Sequence, residues 1–130
     1  MNKACLWVII VLAVSRASSA VDAVGAVAAQ NPRFAGWALA VAEARAAGPL
    51  QVAVVGSGSE LDALVAEARA ATSPGLVLVA GEPDAGGIPL LADRPLVDGR
   101  SAAYVCRGFV CDRPTTDPAE LRRQLQAANI

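Results

Sequence analysis

Three groups of residues in this 130-residue chain could take part in catalysis or ligand binding. They are the cysteines, the glycines and serines of one turn, and several pairs of carboxylates. The chain contains no histidine. Its own residues therefore cannot form a Ser-His or Cys-His nucleophile pair, an imidazole general base or a His-containing metal site. The cysteines, Cys5, Cys106 and Cys111, are too few for a four-thiolate zinc site or a disulfide framework. We therefore predict no catalytic residues, no metal site and no cofactor.

The segment Arg107-Gly108 lies between two runs rich in aromatic and β-branched residues, a pattern typical of a β-hairpin. Each run contains one of the two cysteines, Cys106 or Cys111. If Arg107-Gly108 is the two-residue turn, the cysteines are diagonal neighbours on one face. Diagonal pairs lie about 7–8 Å apart, beyond the usual Cα span of a disulfide. Cys106 and Cys111 are a possible thiol pair, half of a metal site or packing residues, and this register favours packing cysteines that stay reduced.

The segment Gly56-Ser57-Gly58-Ser59 lies between a predicted strand and a predicted helix, where a dinucleotide-binding turn would lie. Glu82 follows the next strand, in the place of a ribose-binding acid. Leu61 replaces the third glycine of such a motif, and a βα turn needs glycine for steric reasons without any ligand. A helix N-terminus also attracts anions in general. The candidates for a nucleotide- or anion-binding site are Gly56, Gly58 and Ser59.

Paired carboxylates lie in caps and in loops rich in glycine and proline, where turn chemistry explains them. These pairs are Glu60/Asp62, Glu82/Asp84 and Asp93/Asp98. The net charge is −1 and the chain has a single lysine, Lys3. Binding to phosphate groups needs clustered Lys and Arg, so we predict no nucleic-acid partner.

The elements that position these residues indicate an α/β fold. Residues 51–55 and 76–80 are apolar strands, and a helix that starts with a capping box at Ser59-Glu60-Leu61-Asp62 connects them. This βαβ unit predicts parallel pairing with a right-handed crossover. Residues 81–100 form a loop with a short apolar piece at residues 88–91.

The end of the chain is predicted to be a capped helix over residues 118–127. Asp117 is the cap, Pro118 takes the first helical position and Glu120 closes a capping box. Leu121 and Leu125 share one face of this helix.

Residues 1–20 have the three-part form of a secretory signal peptide. A positive charge at Lys3 precedes an apolar run, and Ser18-Ser19-Ala20 places cleavage after Ala20. The apolar run is short for a membrane span, so any membrane contact would come from residues 1–20 if they stay uncleaved. A mis-called start or a fused gene fragment would also leave such a leader.

Two helices are predicted next. Residues 21–30 are weakly helical, and Asn31-Pro32 begins a second helix that ends at Gly48-Pro49. Phe34, Trp37 and Val41 fall on one face of it.

Residues 102–121 resemble the extreme C-terminus of thioredoxin-domain-containing proteins of the spermatogenesis-associated type. The Cys-x4-Cys hairpin followed by Pro-x-Thr-Asp-Pro is the most specific part. Pro89-Leu90-Leu91 and Val97-Asp98-Gly99-Arg100 add to the resemblance, which extends over residues 21–130. Members of that family join a thioredoxin-like domain to an (α/α) six-hairpin barrel of the kind found in glycosidases.

After the leader 1–20, which the resemblance does not cover, the resemblance implies a helical segment 21–48 from the end of an (α/α) barrel and a small α/β module 49–130. It implies a non-catalytic C-terminal module or fragment, cytoplasmic unless residues 1–20 are a true signal. Such a module would pack on the barrel, or self-associate, through Phe34, Trp37 and Val41. The alternative is a small nucleotide- or anion-binding domain, and a secreted thiol protein is a third hypothesis. The family's active-site residues match no residue here.

Overall fold

The structure, a computed structural model, describes residues 3–73, 75–108 and 110–127, and for residues 3–15 and 17 it describes the backbone alone. The chain divides into two compact units, Met1–Glu43 and Ala44–Ile130. Helix α1 spans Lys3–Gln30, and helix α2 spans Gly36–Ala47. In the described part of the chain, no helix combines the length and hydropathy needed to cross a membrane.

The predicted second helix begins later than expected. Pro32 opens only a 3-10 turn, Pro32–Phe34, in which the Ala35 N–H donates to the Pro32 carbonyl oxygen at 3.1 Å. Helix α2 then begins at Gly36. It ends at Ala47, directly before Gly48, whose φ of 77° suits glycine at a helix C-terminus.

The second unit carries a four-stranded sheet with the order β2-β1-β3-β4. β1 pairs parallel with β2 and antiparallel with β3, and β3 pairs antiparallel with β4. The predicted α/β fold, with a βαβ unit, a hairpin and a capped C-terminal helix, is confirmed. The elements are β1 Leu50–Val55, α3 Gly58–Arg69, β2 Leu76–Gly81, β3 Ala102–Arg107, β4 Val110–Cys111 and α4 Pro118–Ala127.

Both faces of the sheet are covered, and alternate residues of the central strands contribute to the two sides. On one side Val52 and Val54 pack with Leu64 of α3 and with Leu121 and Leu125 of α4. On the other side the loop between β2 and β3 supplies the cover. Its 3-10 turn Pro89–Leu91 brings a fully buried leucine into a second cluster, whose other buried members are Ala53, Val55, Ala102 and Tyr104.

The cap of α4 is only partly as predicted. Asp117 Oδ1 accepts the N–H of Ala119 at 3.0 Å, which confirms Asp117 as the cap. The predicted reciprocal bond from Glu120 is wrong, because the Asp117 N–H instead donates to Thr115 Oγ1 at 3.1 Å. The Glu120 carboxylate accepts from Arg123 within the same helix.

The predicted capping box of α3 is wrong. The helix begins at Gly58, one residue before Ser59, and its N-cap residue Ser57 makes no side-chain capping hydrogen bond. The carboxylate nearest this end belongs to Glu60, which accepts from residues of a distant loop.

Candidate functional site

The cysteine hairpin is the first candidate site, and its register differs from the prediction. Cys106 pairs directly with Cys111, and Arg107 pairs with Val110. The turn therefore lies one residue later than predicted, with Gly108 as its first central position. A φ of 60° at Gly108 explains the shift, since hairpin turns of two residues need a positive φ at that position. Residue 109, the other central position, lies outside the described residues.

Cys106 and Cys111 form a disulfide in this register, with Cα atoms 3.9 Å apart. The prediction that both cysteines stay reduced is therefore wrong. It depended on a diagonal arrangement, which a shift of one residue converts into a directly opposite pair. Asp112 donates its N–H to the Val105 carbonyl oxygen at 2.9 Å, so Cys106 and Cys111 occupy a non-hydrogen-bonded position, where side chains are closest.

The two sulfur-bearing residues differ in exposure. Cys106 is 1% exposed because it lies on β3, next to the central strand β1. Cys111 is exposed because β4 is an edge strand of two residues. An incoming reagent therefore meets the disulfide from the Cys111 side.

A disulfide that closes so short a loop contributes only about 2 kcal/mol to stability, through the entropy of the unfolded chain.

Arg94 lies beside this disulfide. Its Nη1 atom is 4.0 Å from Cys111 Sγ, and its Nε donates to the Leu90 carbonyl oxygen at 2.7 Å. The guanidinium carbon also lies 5.1 Å from the centre of the Tyr104 ring. These contacts hold a cation in place, and a fixed cation favours the thiolate form of a neighbouring cysteine.

Tyr104 contacts Arg94 and also anchors the loop that carries it. The Tyr104 hydroxyl donates to the carbonyl oxygen of Pro95, the residue after Arg94, at 2.6 Å, and this hydrogen bond ties the loop to β3. Burial raises the pKa of Tyr104, and the positive charge of Arg94 opposes that rise. Tyr104 therefore stays neutral and acts as a hydrogen-bond donor and an aromatic surface.

The glycine turn is the second candidate site, and the structure accounts for Gly56 by packing. Gly56 has a φ of 134°, and a Cβ atom there would lie 2.1 Å from Ser101 Oγ. Ser101 is buried, and its hydroxyl donates to the Ser57 carbonyl oxygen at 3.4 Å. The residue before β3 thus occupies the space over Gly56. Gly58, with a φ of 68°, and Ser59 are exposed beside it.

A carboxylate already lies at this end of α3. Glu60 accepts from Arg100 Nε at 3.0 Å and from the Ser101 N–H at 3.3 Å. These hydrogen bonds, that of Arg100 first, lower the pKa of Glu60 below its ordinary value. The N-terminus of α3 therefore faces a negative side chain of the same chain, which competes with any anion from solution.

The other paired carboxylates form turns, as predicted. Asp84, Asp93 and Asp98 have φ values of 55°, 56° and 52°, a region that Asp adopts more readily than most residues. Asp84 Oδ1 accepts the Asp93 N–H at 2.8 Å, which closes the loop between β2 and β3. In the described ranges, no group of His, Cys, Asp and Glu side chains has the arrangement of a metal site.

Sequence reasoning missed Arg94, the residue whose guanidinium lies beside the disulfide. Arg94 precedes Cys111 by 17 positions and lies in a loop without periodicity, so no local pattern pointed to it. Only the fold of residues 82–100 over the sheet brings the guanidinium to the sulfur.

Comparisons of the chain with protein-family models, with curated proteins and with solved structures find no match.

Proposed function

We propose that this chain is a non-catalytic α/β module whose helical segment packs against a further helical domain. The arrangement would be that of the C-terminal module in thioredoxin-domain-containing proteins with a six-hairpin barrel. The single observation that carries the proposal is the exposure of two aromatic side chains, Phe34 at 77% and Trp37 at 90%.

The two units differ in how well they bury apolar side chains. The sheet unit has two buried clusters, one on each face. In the helical unit, by contrast, Ala35 is the one buried residue among the side chains that the structure describes. Helix α2 has no buried residue at all over its described length. The sheet unit therefore buries a core of its own, whereas the described side chains of the helical unit do not form one.

The size of the exposed apolar surface favours a partner. Burying one large side chain contributes about 1.5–3 kcal/mol, so Phe34 and Trp37 together represent much of the net stability of a small domain. Val41, at 46% exposed, follows Trp37 by four residues and lies on the same face of α2. These exposed apolar side chains, Trp37 and Val41 on α2 and Phe34 in the 3-10 turn before it, suit the groove of another helix.

The same exposed surface is available to a second copy of the chain. We expect the purified chain to self-associate through Phe34, Trp37 and Val41, as light scattering over a range of concentrations would detect. In a Trp7→Phe background the emission of Trp37 should shift to the blue as the concentration rises. Phe34→Ser with Trp37→Ser should yield a monomer whose sheet unit unfolds at the same urea concentration.

A matched control uses an exposed apolar residue of the sheet unit. Val77, at 46% exposed on β2, has the same exposure as Val41, and Val77→Ser should leave the association unchanged. A concentration-independent monomer in which Trp37 is protected from quenchers would contradict the proposal.

A further inference from the structure

We infer that the Cys106–Cys111 disulfide is a thiol–disulfide exchange site for anionic thiols, with Cys111 as the exchanging sulfur and Arg94 as the group that attracts them. The inference is independent of the packing function proposed above. It rests on the unequal exposure of the two cysteines and on the position of the guanidinium.

Solvent exposure indicates that Cys111 carries the sulfur that an incoming thiolate attacks. Exchange begins when a thiolate reaches one sulfur of the disulfide, and the attacked sulfur has to be open to solvent. Cys106 is buried between β1 and β4, whereas Cys111 lies on the two-residue edge strand. The mixed disulfide therefore forms on Cys111, and Cys106 is the leaving and resolving thiol.

Charge selects the kind of thiol. The Arg94 guanidinium lies 4.0 Å from Cys111 Sγ, where it attracts a thiol compound that carries a negative charge. Asp112 follows Cys111, but successive residues of an extended strand point to opposite faces. Its side chain lines a groove on the other side of the sheet with Arg107 and Gln124. Of Arg94, Arg107 and Asp112, Arg94 is thus the one whose charge lies beside the disulfide.

The architecture tolerates opening of the disulfide. β3 pairs with β1 over six residue pairs, whereas β4 adds only two pairs at the outer edge. Thr115 also pairs with Ala103, so the chain after β4 stays attached to β3 when the disulfide is cut. Reduction therefore removes the covalent link between β3 and β4 without removing a strand from the core.

An incoming thiolate attacks Cys111 Sγ, the bond between the two cysteine sulfurs breaks, and its electron pair leaves on Cys106 Sγ, which takes a proton from water. A second thiolate then attacks the incoming sulfur of the mixed disulfide and releases Cys111 as a thiolate beside Arg94. The protein gains two electrons and the two incoming thiols become a disulfide. The reverse sequence returns the oxidised hairpin.

The experiment uses the full chain with Cys5→Ala. Rates of disulfide opening are measured with mercaptoethanesulfonate, which is anionic, and with cysteamine, which is cationic. We expect the anionic thiol to be preferred. Arg94→Gln should lower the rate with the anionic thiol by about fivefold, the factor for unit charges about 4 Å apart in water, and raise the rate with the cationic thiol by a similar factor, so that the preference falls by about 25-fold. Arg94→Lys should retain most of it, and Arg123→Gln on α4 should retain all of it. A change in stability alone would alter both rates equally.

A second arm identifies the exchanging sulfur and the source of the thiol. After brief exposure to glutathione or to an acidic cysteine peptide, acid quenching and alkylation, peptide mapping should find the mixed disulfide on Cys111 and the alkyl group on Cys106. The faster of the two thiols shows whether the site favours a small metabolite or a protein cysteine. Mixed disulfides on Cys106, an unchanged preference in Arg94→Gln, or a hairpin that opens only when the protein unfolds would overturn the inference.

Discussion

The Arg122 guanidinium binds the Glu67 carboxylate through two parallel hydrogen bonds of 2.7 Å, which join helix α4 to helix α3. This bidentate pairing spans 55 positions of the sequence. It lies at the edge of the main core, where Leu64 and Leu125 pack between the helices and the sheet. The pair therefore links the C-terminal helix to the βαβ unit.

We expect Glu67→Gln to destabilise the protein near neutral pH. The hydrogen bonds from Arg122 hold the pKa of Glu67 below its ordinary value of 4.5. The unfolded chain consequently binds a proton more readily than the folded one, and the stabilisation is present above pH 4.5 and is lost as the pH falls through the folded pKa. Urea unfolding at about pH 6.5 and about pH 3.5 would measure this.

The matched control is Glu120→Gln, which removes an exposed pair with Arg123 within one helix. Such pairs contribute little, so this variant should unfold almost as the parent does. An equal effect of Glu67→Gln at both pH values would show that the carboxylate charge is not what stabilises the contact.

Gly56→Ala should destabilise the sheet unit strongly. The new Cβ atom would meet Ser101 Oγ at 2.1 Å, and the φ of 134° is unfavourable for alanine, so we expect a loss of at least about 2 kcal/mol. Gly86→Ala is the control, because no atom lies within 4 Å of its Cβ position. Both free energies of unfolding follow from urea titrations, and a Gly56→Ala protein as stable as Gly86→Ala would contradict the packing explanation.

Cys111→Ser should lower the stability of the oxidised protein by about 2 kcal/mol, the entropy that a short disulfide loop removes from the unfolded chain. A reductant should lower the stability of the parent by a similar amount and leave Cys111→Ser unchanged. Thermal unfolding with and without reductant measures both effects. Parent protein that is insensitive to reductant would show that the disulfide does not contribute to stability.

Leu91→Ala should cost about 2–5 kcal/mol, since this side chain is fully buried in the second cluster although it comes from a loop. Ile88→Ala is the comparison, because Ile88 is 40% exposed only three positions earlier. Similar losses in urea for the two variants would mean that the loop does not cover the sheet as described.

Local physics made much of the fold predictable. The apolar runs 51–55 and 76–80 are strands because each is continuous and short, and the helix between them requires parallel pairing. Asp117 and Pro118 start α4 because the cap and the proline act on neighbouring backbone groups. These interactions span a few residues, so the sequence contains all the participants.

The sequence is compatible with two registers of the hairpin that differ by one residue. Arg107-Gly108 and the turn that follows Arg107 both place glycine in the turn, and the tertiary structure selects the second. That choice converts a diagonal cysteine pair into a directly opposite one, and with it a reduced pair into a disulfide. A period of two along a strand makes such a shift large in its consequences.

The contacts that define the candidate site come from residues far apart in the chain. Arg94 reaches Cys111, and Ser101 fills the space over Gly56, only after residues 82–101 have folded over the ends of the strands. The sequence by itself determined the βαβ unit, the C-terminal helix and the lack of histidine chemistry. The tertiary structure decided the long-range partners of polar side chains such as Arg94 and Ser101, because hydrogen bonds and charges act over a few ångströms in space and no spacing along the chain encodes these contacts.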